Sequence, residues 1–269
     1  MHTFIRFLLQ GSLALLAIDG KAQGPAVNTP GTASLQIEFE NYIGSDRLQL
    51  NTGTYTNASG EQFSVTLLNY YISNIRLNRA DGTLYTVPRD SSYFLIKAEN
   101  PAQNILLTGI PAGSYTGISF ILGIDSAKCT APVAERTCVL DPAGGGAGMY
   151  WGWNSGYIFV KMEGPAAVAT SGDKKFRYHI GGFGGFQSPT LNNIKEVHID
   201  FPAAQLLQVQ SQDNAARLFL KADASKVMNG TTNVSIAAKT TVMFAPYSVN
   251  IANNYASMFS FERVINNRP

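Results

Sequence analysis

The sequence predicts an all-β protein, an antiparallel β-sandwich with a few short helices. The first observation is the alternation of apolar and polar residues over 35–39 (LQIEF), the pattern of a strand with one buried face. The second is the Asp81-Gly82 pair between two apolar runs, since Asp-Gly readily takes the positive φ of a tight hairpin turn. Helix signals are sparse, and the one candidate is 248–259, where apolar residues fall at helical spacing.

Strand signals recur along the whole chain after its first 33 residues. Their length and the frequent turns between them are typical of a sandwich. We find no strong internal boundary, so we predict a single domain over residues 34–265. The further strands are expected at 63–77, 84–87, 92–97, 115–122, 156–162, 175–180, 194–201, 216–221 and 240–244.

The first 22 residues have the layout of a secretory signal peptide. A short basic start precedes the apolar run 7–18, and small residues at positions 20 and 22 form a cleavage site before Gln23. The apolar run is too short to span a bilayer. Residues 23–33 are small, polar and rich in Pro and Gly, which predicts a flexible lead-in. We therefore expect a periplasmic or secreted protein whose mature chain has no integral membrane segment.

Composition excludes some partners and suggests a disulfide. The net charge is +2 and charged residues make up 14% of the chain, whereas nucleic-acid binding needs many cations that neutralise phosphates. Cys129 and Cys138 are the two cysteines, and in an oxidising compartment such a pair most simply forms a disulfide. Thiolate metal ligation is the alternative, but the spacing is not a usual zinc spacing.

No motif for catalysis is evident, so we expect a binding protein and not an enzyme. The Gly-rich run at 143–148 lacks the Gly-Lys-Ser/Thr of a phosphate-binding loop. Beyond the signal peptide the histidines are His179 and His198. A Ser-His-Asp triad would need a nucleophile activated by one of them, and nothing in the sequence marks such a nucleophile. A hydrolase on a sandwich scaffold remains a minor alternative.

The stretch from Asp141 to His179 is the most informative part of the sequence, and four blocks carry a resemblance to a known family. They are 70–75 (YYISNI) with the following Asp81-Gly82, 122–125 (LGID), 149–157 (MYWGWNSGY) and 178–181 (YHIG). In this order the blocks resemble the MbnP-like proteins, relatives of the periplasmic copper-binding partner of methanobactin uptake. The resemblance extends over about residues 34–262.

The resemblance implies an extracytoplasmic domain that binds copper through histidine and a tryptophan oxidised to kynurenine. It also implies a MauG-type di-haem enzyme as the oxidising partner. His179 lies in the matching block and is the first ligand candidate, although a structural histidine is the plain alternative. Trp151 is the candidate for oxidation, with Trp153 as its alternative, and either one is otherwise an ordinary core or surface aromatic. His198 is a further metal candidate but alternates with apolar neighbours like an outward-facing residue.

One position departs from the family pattern and leaves a second function open. Related sequences often carry a histidine near position 41, where this chain has Asn41, a poor copper ligand. The alternative function is a secreted sandwich that binds glycan or protein without metal, since Tyr and Trp on Gly-rich loops stack well on sugars. Convergence of His179 with Trp151 or Trp153 in a partly enclosed site favours copper, and tryptophans flat on an open face favour glycan.

Overall fold

The computed structural model describes residues 31–100, 103–152, 156–210 and 215–266. The predicted signal peptide and most of the predicted lead-in lie outside these ranges, and the first strand begins at Thr32. No helix within the described ranges is long and apolar enough to cross a membrane.

The described residues form a two-layer sandwich of a five-stranded and a ten-stranded sheet, with one separate two-stranded hairpin. The strands, in chain order, are β1 (Thr32–Ile43), β2 (Asp46–Arg47), β3 (Tyr55–Thr56), β4 (Gln62–Phe63), β5 (Leu67–Arg79), β6 (Leu84–Thr86), β7 (Tyr93–Lys97), β8 (Asn104–Pro111), β9 (Gly113–Leu122), β10 (Tyr150–Trp151), β11 (Gly156–Pro165), β12 (Lys175–Gly181), β13 (Lys195–Asp200), β14 (Leu207–Val209), β15 (Ala216–Asp223), β16 (Thr241–Val242) and β17 (Phe259–Ile265).

Within the described ranges two α-helices interrupt the strands, α1 (Ser126–Cys129) and α2 (Ser248–Tyr255). The helix expected over 248–259 is therefore present but shorter, because the chain turns after Tyr255 and enters β17 at Phe259. Tyr255 and Met258 are both buried, which explains why their spacing resembles a longer helix. Short 3₁₀ turns occur at Arg89–Ser91, Val133–Glu135, Cys138–Leu140, Ala203–Gln205 and Ala224–Val227.

The five-stranded sheet has the order β17-β15-β1-β2, with β8 on the other edge of β1. β1 and β15 run parallel, with Leu35 opposite Ala216, and their contact joins the two ends of the described chain. The outward face of this sheet is covered by ion pairs across strands. Arg217 donates to Glu38 at 2.9 Å, and Arg263 lies 2.8 Å from Glu40.

The ten-stranded sheet is organised around the long strand β5. One edge of β5 pairs with β11 over residues 67–70 and then with β9 over residues 72–79, while β7 and β6 pair with the other edge. β12 extends the sheet beyond β11, and β13 extends it beyond β9. β12 and β13 therefore lie at different positions along the length of β5 and are not paired with each other.

Buried apolar side chains form two separate clusters on the two faces of the ten-stranded sheet. The inter-sheet core lies between the sheets and includes Phe39 of β1, Tyr70 of β5 and Phe120 of β9. On the opposite face, residues 123–152, here called the capping segment, cover a smaller group. This outer cluster consists of Tyr71, Tyr93, Leu95, Ile124, Cys129, Leu140, Met149, Tyr157, Ile158, Phe159 and Phe183.

The predicted all-β sandwich is confirmed, with most strand pairs antiparallel. Two pairs differ and are parallel, β1 with β15 and β12 with β16. Each expected strand region contains a strand of the structure, whereas the long strands β8 and β17 and the short strands β2, β3, β10 and β14 correspond to no predicted strand.

Candidate functional site

His179 lies on the outer face of the ten-stranded sheet. Its neighbours Tyr178 and Ile180 point into the inter-sheet core, so the imidazole points the opposite way. Nε2 of His179 lies 2.7 Å from Oε1 of Glu163, and the His179 side chain is only 12% exposed. The imidazole is therefore held in one orientation beneath the protein surface.

A lysine completes the charged group around this histidine. Lys161 pairs directly with His179 across β11 and β12, and its Nζ lies 3.7 Å from the same Glu163 oxygen. Nζ also donates to the carbonyl oxygen of Gly148 at 3.1 Å, which ties the capping segment to β11. Burial lowers the pKa of His179 below its usual value, and the hydrogen bond to Glu163 opposes this shift only in part. A neutral imidazole keeps a nitrogen lone pair for a metal.

Trp151 lies beside the same strand. It pairs with Gly156 in the short ladder of β10 with β11, and its ring packs edge-to-face on Phe244 with 6.3 Å between ring centroids. A Cβ atom on Gly181 would clash with the carbonyl oxygen of Tyr157 and lie 3.1 Å from Cζ3 of Trp151, so the backbone contact requires a glycine and the indole packs closely against it. Gly181 follows His179 by two residues on β12, a distance of about 7 Å along the strand. The structure therefore brings Trp151 and His179 to neighbouring positions on one face.

His198, the other described metal candidate, is not assembled there. Trp153 lies outside the described residues. His198 is 65% exposed, and its nearest charged partner is Glu196, 3.6 Å away. Strand register places His179 level with Asn69 of β5 and His198 level with Arg76. Seven residues of strand separate those levels, on the order of 20 Å, so one ion cannot bind both histidines.

Asn41 of β1 faces the space between the two sheets, whereas His179 lies on the opposite, outer face of the ten-stranded sheet, so the two residues cannot complete one site. Its Oδ1 accepts a hydrogen bond from the buried hydroxyl of Tyr70 at 3.0 Å. The Tyr70 ring packs in the inter-sheet core against Phe39, with centroids 6.1 Å apart. The ten-stranded sheet therefore separates residue 41 from His179, and a ligand pair between these positions does not fit this fold.

The expected disulfide between Cys129 and Cys138 is absent, and this prediction was wrong. Both cysteines are free, Cys129 buried and Cys138 exposed. Sγ of Cys129 lies 3.4 Å from the carbonyl oxygen of Ile124 within the outer cluster. Because one sulfur packs in this cluster while the other faces solvent, the two side chains do not meet. Burial raises the pKa of Cys129 to about 12, so its thiol is protonated and unreactive at neutral pH.

Sequence reasoning missed Glu163, the residue that orients His179. A signal was present, because Lys161 and Glu163 alternate with buried Val160 and Met162 on β11. That alternation marks a polar patch on one face of a strand, but only strand register shows that the patch adjoins His179. Because a carboxylate only accepts, Nε2 of the neutral imidazole carries the proton of this hydrogen bond, and Nδ1 keeps a lone pair of the kind that copper accepts. No group of three or more His, Cys, Asp or Glu side chains that could hold a metal ion occurs among the described residues.

Comparisons with known proteins support the fold and the family. A search of curated proteins gave no match. The solved structure titled MbnP from Methylosinus trichosporium is similar with a TM-score of 0.54 and 17% sequence identity. The match covers 81% of this chain and 87% of that chain, and at this identity it shows the fold alone.

The family itself is shown by a match over most of the chain. The family model described as MbnP matches residues 32–245, from the first residue of β1 to just beyond β16. This range contains His179, Glu163 and Trp151. The chain therefore belongs to the MbnP family.

Proposed function

We propose that this protein is an extracytoplasmic copper-binding protein in which His179 is a metal ligand and Trp151 joins the site after oxidation. One observation carries the proposal: a partly buried imidazole, oriented by Glu163 at 2.7 Å, lies on the same face of β12 as the indole of Trp151. The protein binds and does not catalyse on this view, and it acts in the periplasm or outside the cell.

The chemistry explains why an oxidised tryptophan is part of the proposal. An intact indole offers an N–H donor and no lone pair for a metal. Oxidative opening of the ring to kynurenine gives an aryl amine, whose nitrogen is a donor that copper accepts alongside imidazole. A MauG-type di-haem enzyme is the proposed source of that oxidation. The donor set would then include Nδ1 of His179 and the modified residue, while Glu163 accepts the hydrogen bond from Nε2–H of His179 and orients the ring.

The second candidate, a glycan-binding sandwich, has less support. Sugar-stacking aromatics present one flat face to solvent, whereas Trp151 is partly buried between Gly181 and Phe244. A ring packed in this way offers little free face for a sugar. Its position near the partly buried His179, on the same face of β12, favours the metal site.

The test is copper binding by mature protein purified from its native host or co-expressed with its oxidising enzyme. We expect one copper per chain by elemental analysis, and peptide mass spectrometry should show kynurenine at residue 151. His179→Ala removes an imidazole that water replaces poorly, so copper affinity should fall more than tenfold, or about 1.4 kcal/mol. His198→Ala is the matched control and should leave affinity unchanged, because His198 lies far along the sheet.

Two results would contradict the proposal. Unchanged copper affinity in a folded His179→Ala variant, checked by its near-UV circular dichroism, would remove His179 from the site. Protein that carries neither copper nor kynurenine after co-expression would favour the metal-free binding module.

A further inference from the structure

A cleft of about 670 Å³ opens between the capping segment and the loop after β12. Tyr150 and Phe183 line it, and the two large apolar side chains Val133 and Phe186 lie at it with 74% and 60% of their surface exposed. Phe183 approaches closely because Gly156, at φ +63°, has no side chain; a Cβ there would lie 2.9 Å from the ring. The volume of the cleft falls in the range of small-molecule sites, which are mostly apolar with a few precisely placed polar groups.

Arg136 in the wall of this cleft differs from every other arginine that the structure describes. Each of the others has a carboxylate oxygen within 4.0 Å, whereas none of the described carboxylates lies that close to Arg136. The paired arginines are Arg47, Arg76, Arg79, Arg89, Arg177, Arg217 and Arg263.

Neutral acceptors hold the Arg136 guanidinium without neutralising it. Nε and Nη2 donate to the carbonyl oxygens of Ala131 and Cys129 at 3.2 to 3.3 Å, and Nη1 donates to the hydroxyl of Tyr150 at 2.5 Å. The guanidinium also lies over the Tyr150 ring, 5.1 Å from its centroid. These bonds leave one N–H of Nη1 without an acceptor among the described residues. The result is a fixed, partly buried positive charge, oriented in advance of binding.

We propose that this cleft binds a small organic anion with an aromatic or branched apolar body. The anionic group, a carboxylate or sulfonate, pairs with Arg136, and the apolar body packs against Phe183, Phe186 and Val133. Charge-assisted hydrogen bonds from a fixed guanidinium are the stronger kind, and they select an anion over a neutral molecule of the same shape. This proposal is independent of copper binding, since none of its residues is a proposed metal ligand.

A matched pair of fluorescent probes tests the charge requirement. 8-Anilinonaphthalene-1-sulfonate has the aromatic body and the anion, and N-phenyl-1-naphthylamine has a similar body without the anion. We expect the mature protein to bind one sulfonate per chain and to bind it more tightly than the neutral amine. In Arg136→Gln, sulfonate affinity should fall about tenfold because a charged hydrogen-bond partner is lost, while affinity for the amine stays the same.

Two further variants separate this site from general effects. Arg47→Gln removes an exposed arginine of the other sheet and should change neither affinity, whereas Phe186→Ser should weaken both probes by removing apolar surface. An equal loss of sulfonate affinity in Arg47→Gln and Arg136→Gln would overturn the proposal. If Arg136→Gln does not fold, the wild-type comparison decides, and equal affinity for the two probes would overturn it.

Discussion

The two apolar clusters on the two faces of the ten-stranded sheet are built differently. In the inter-sheet core, strand packs on strand, and Phe120 meets Phe39 and Phe259 edge-to-face at centroid distances of 6.0 and 5.1 Å. In the outer cluster, side chains of the sheet pack against an irregular chain segment instead. Tyrosine hydroxyls hold that segment: Tyr71 donates to Val139 at 2.7 Å and Tyr157 donates to Leu140 at 2.8 Å.

The difference teaches where each kind of stability arises. Regular strands satisfy their own backbone groups, so the inter-sheet core needs only complementary apolar shape. The capping segment satisfies its backbone groups mainly through local turns, and the buried tyrosines Tyr71 and Tyr157 tie it to the sheet through the carbonyl groups of Val139 and Leu140. The proposed metal ligand and the anion cleft both adjoin this second, polar-anchored region. The free energy of unfolding of the whole protein should therefore depend most on the inter-sheet core. Local order at the two proposed sites should depend on the outer cluster.

The largest expected effect is the loss of a core aromatic ring. Phe120→Ala removes a fully buried side chain that contacts Phe39 and Phe259, so the free energy of unfolding should fall by about 3–5 kcal/mol. Urea denaturation followed by far-UV circular dichroism measures it. A loss below about 1 kcal/mol would mean that the inter-sheet core is not the main source of stability.

A smaller and more local effect is expected from Tyr157→Phe. The variant keeps the ring but leaves the buried Leu140 carbonyl without its hydroxyl donor, which should cost about 1 kcal/mol. Hydrogen exchange should accelerate in the capping segment while β5 and β9 stay protected. Faster exchange across both sheets would show that the two clusters unfold as one unit and would break the comparison.

The smallest effect concerns the pH dependence that His179 adds to the stability of the metal-free protein. Burial, with help from Lys161 and Arg177, lowers the pKa of His179 below its usual 6.5, although Glu163 opposes the shift. The unfolded chain therefore takes up the proton first, and stability should fall as pH drops through about 6.5 towards the folded pKa.

Two measurements check the sign of this effect. Histidine resonances followed by NMR should give a midpoint below 6.5 for His179. In His179→Gln this part of the pH dependence should disappear from the free energy of unfolding. A midpoint above 6.5 would mean that the Glu163 hydrogen bond outweighs burial.

The sequence was informative where local pattern decides structure. Alternation over 35–39 predicts the buried face of β1, and Asp81-Gly82 predicts the turn between β5 and β6. The pattern fails at β17, since Phe259 continues the apolar spacing of α2 although the backbone has already turned. It also fails for the disulfide, because two cysteines in one sequence do not reveal that one sulfur is buried in the outer cluster.

The site was predictable only in part for a related reason. His179 and Trp151 belong to blocks that resemble a family, so they could be selected without knowledge of their surroundings. Glu163 and Arg136 belong to no such block. What distinguishes Glu163 is the register of β11 with β12, and what distinguishes Arg136 is that no carboxylate of the described residues lies near it. Both are relations between distant residues, which a single sequence does not record.

The parallel pairing of β1 with β15 has a consequence for the order in which the chain folds. The ion pair between Glu38 and Arg217 joins residues 179 positions apart, so the smaller sheet cannot close until nearly the whole chain has been synthesised. Pairings this distant in sequence close large loops and fold slowly. Until then, β1 exposes an unpaired, partly apolar edge that another chain could add to. A chaperone that covers the first strand, or delivery of the whole chain before folding starts, would protect the nascent protein from aggregation.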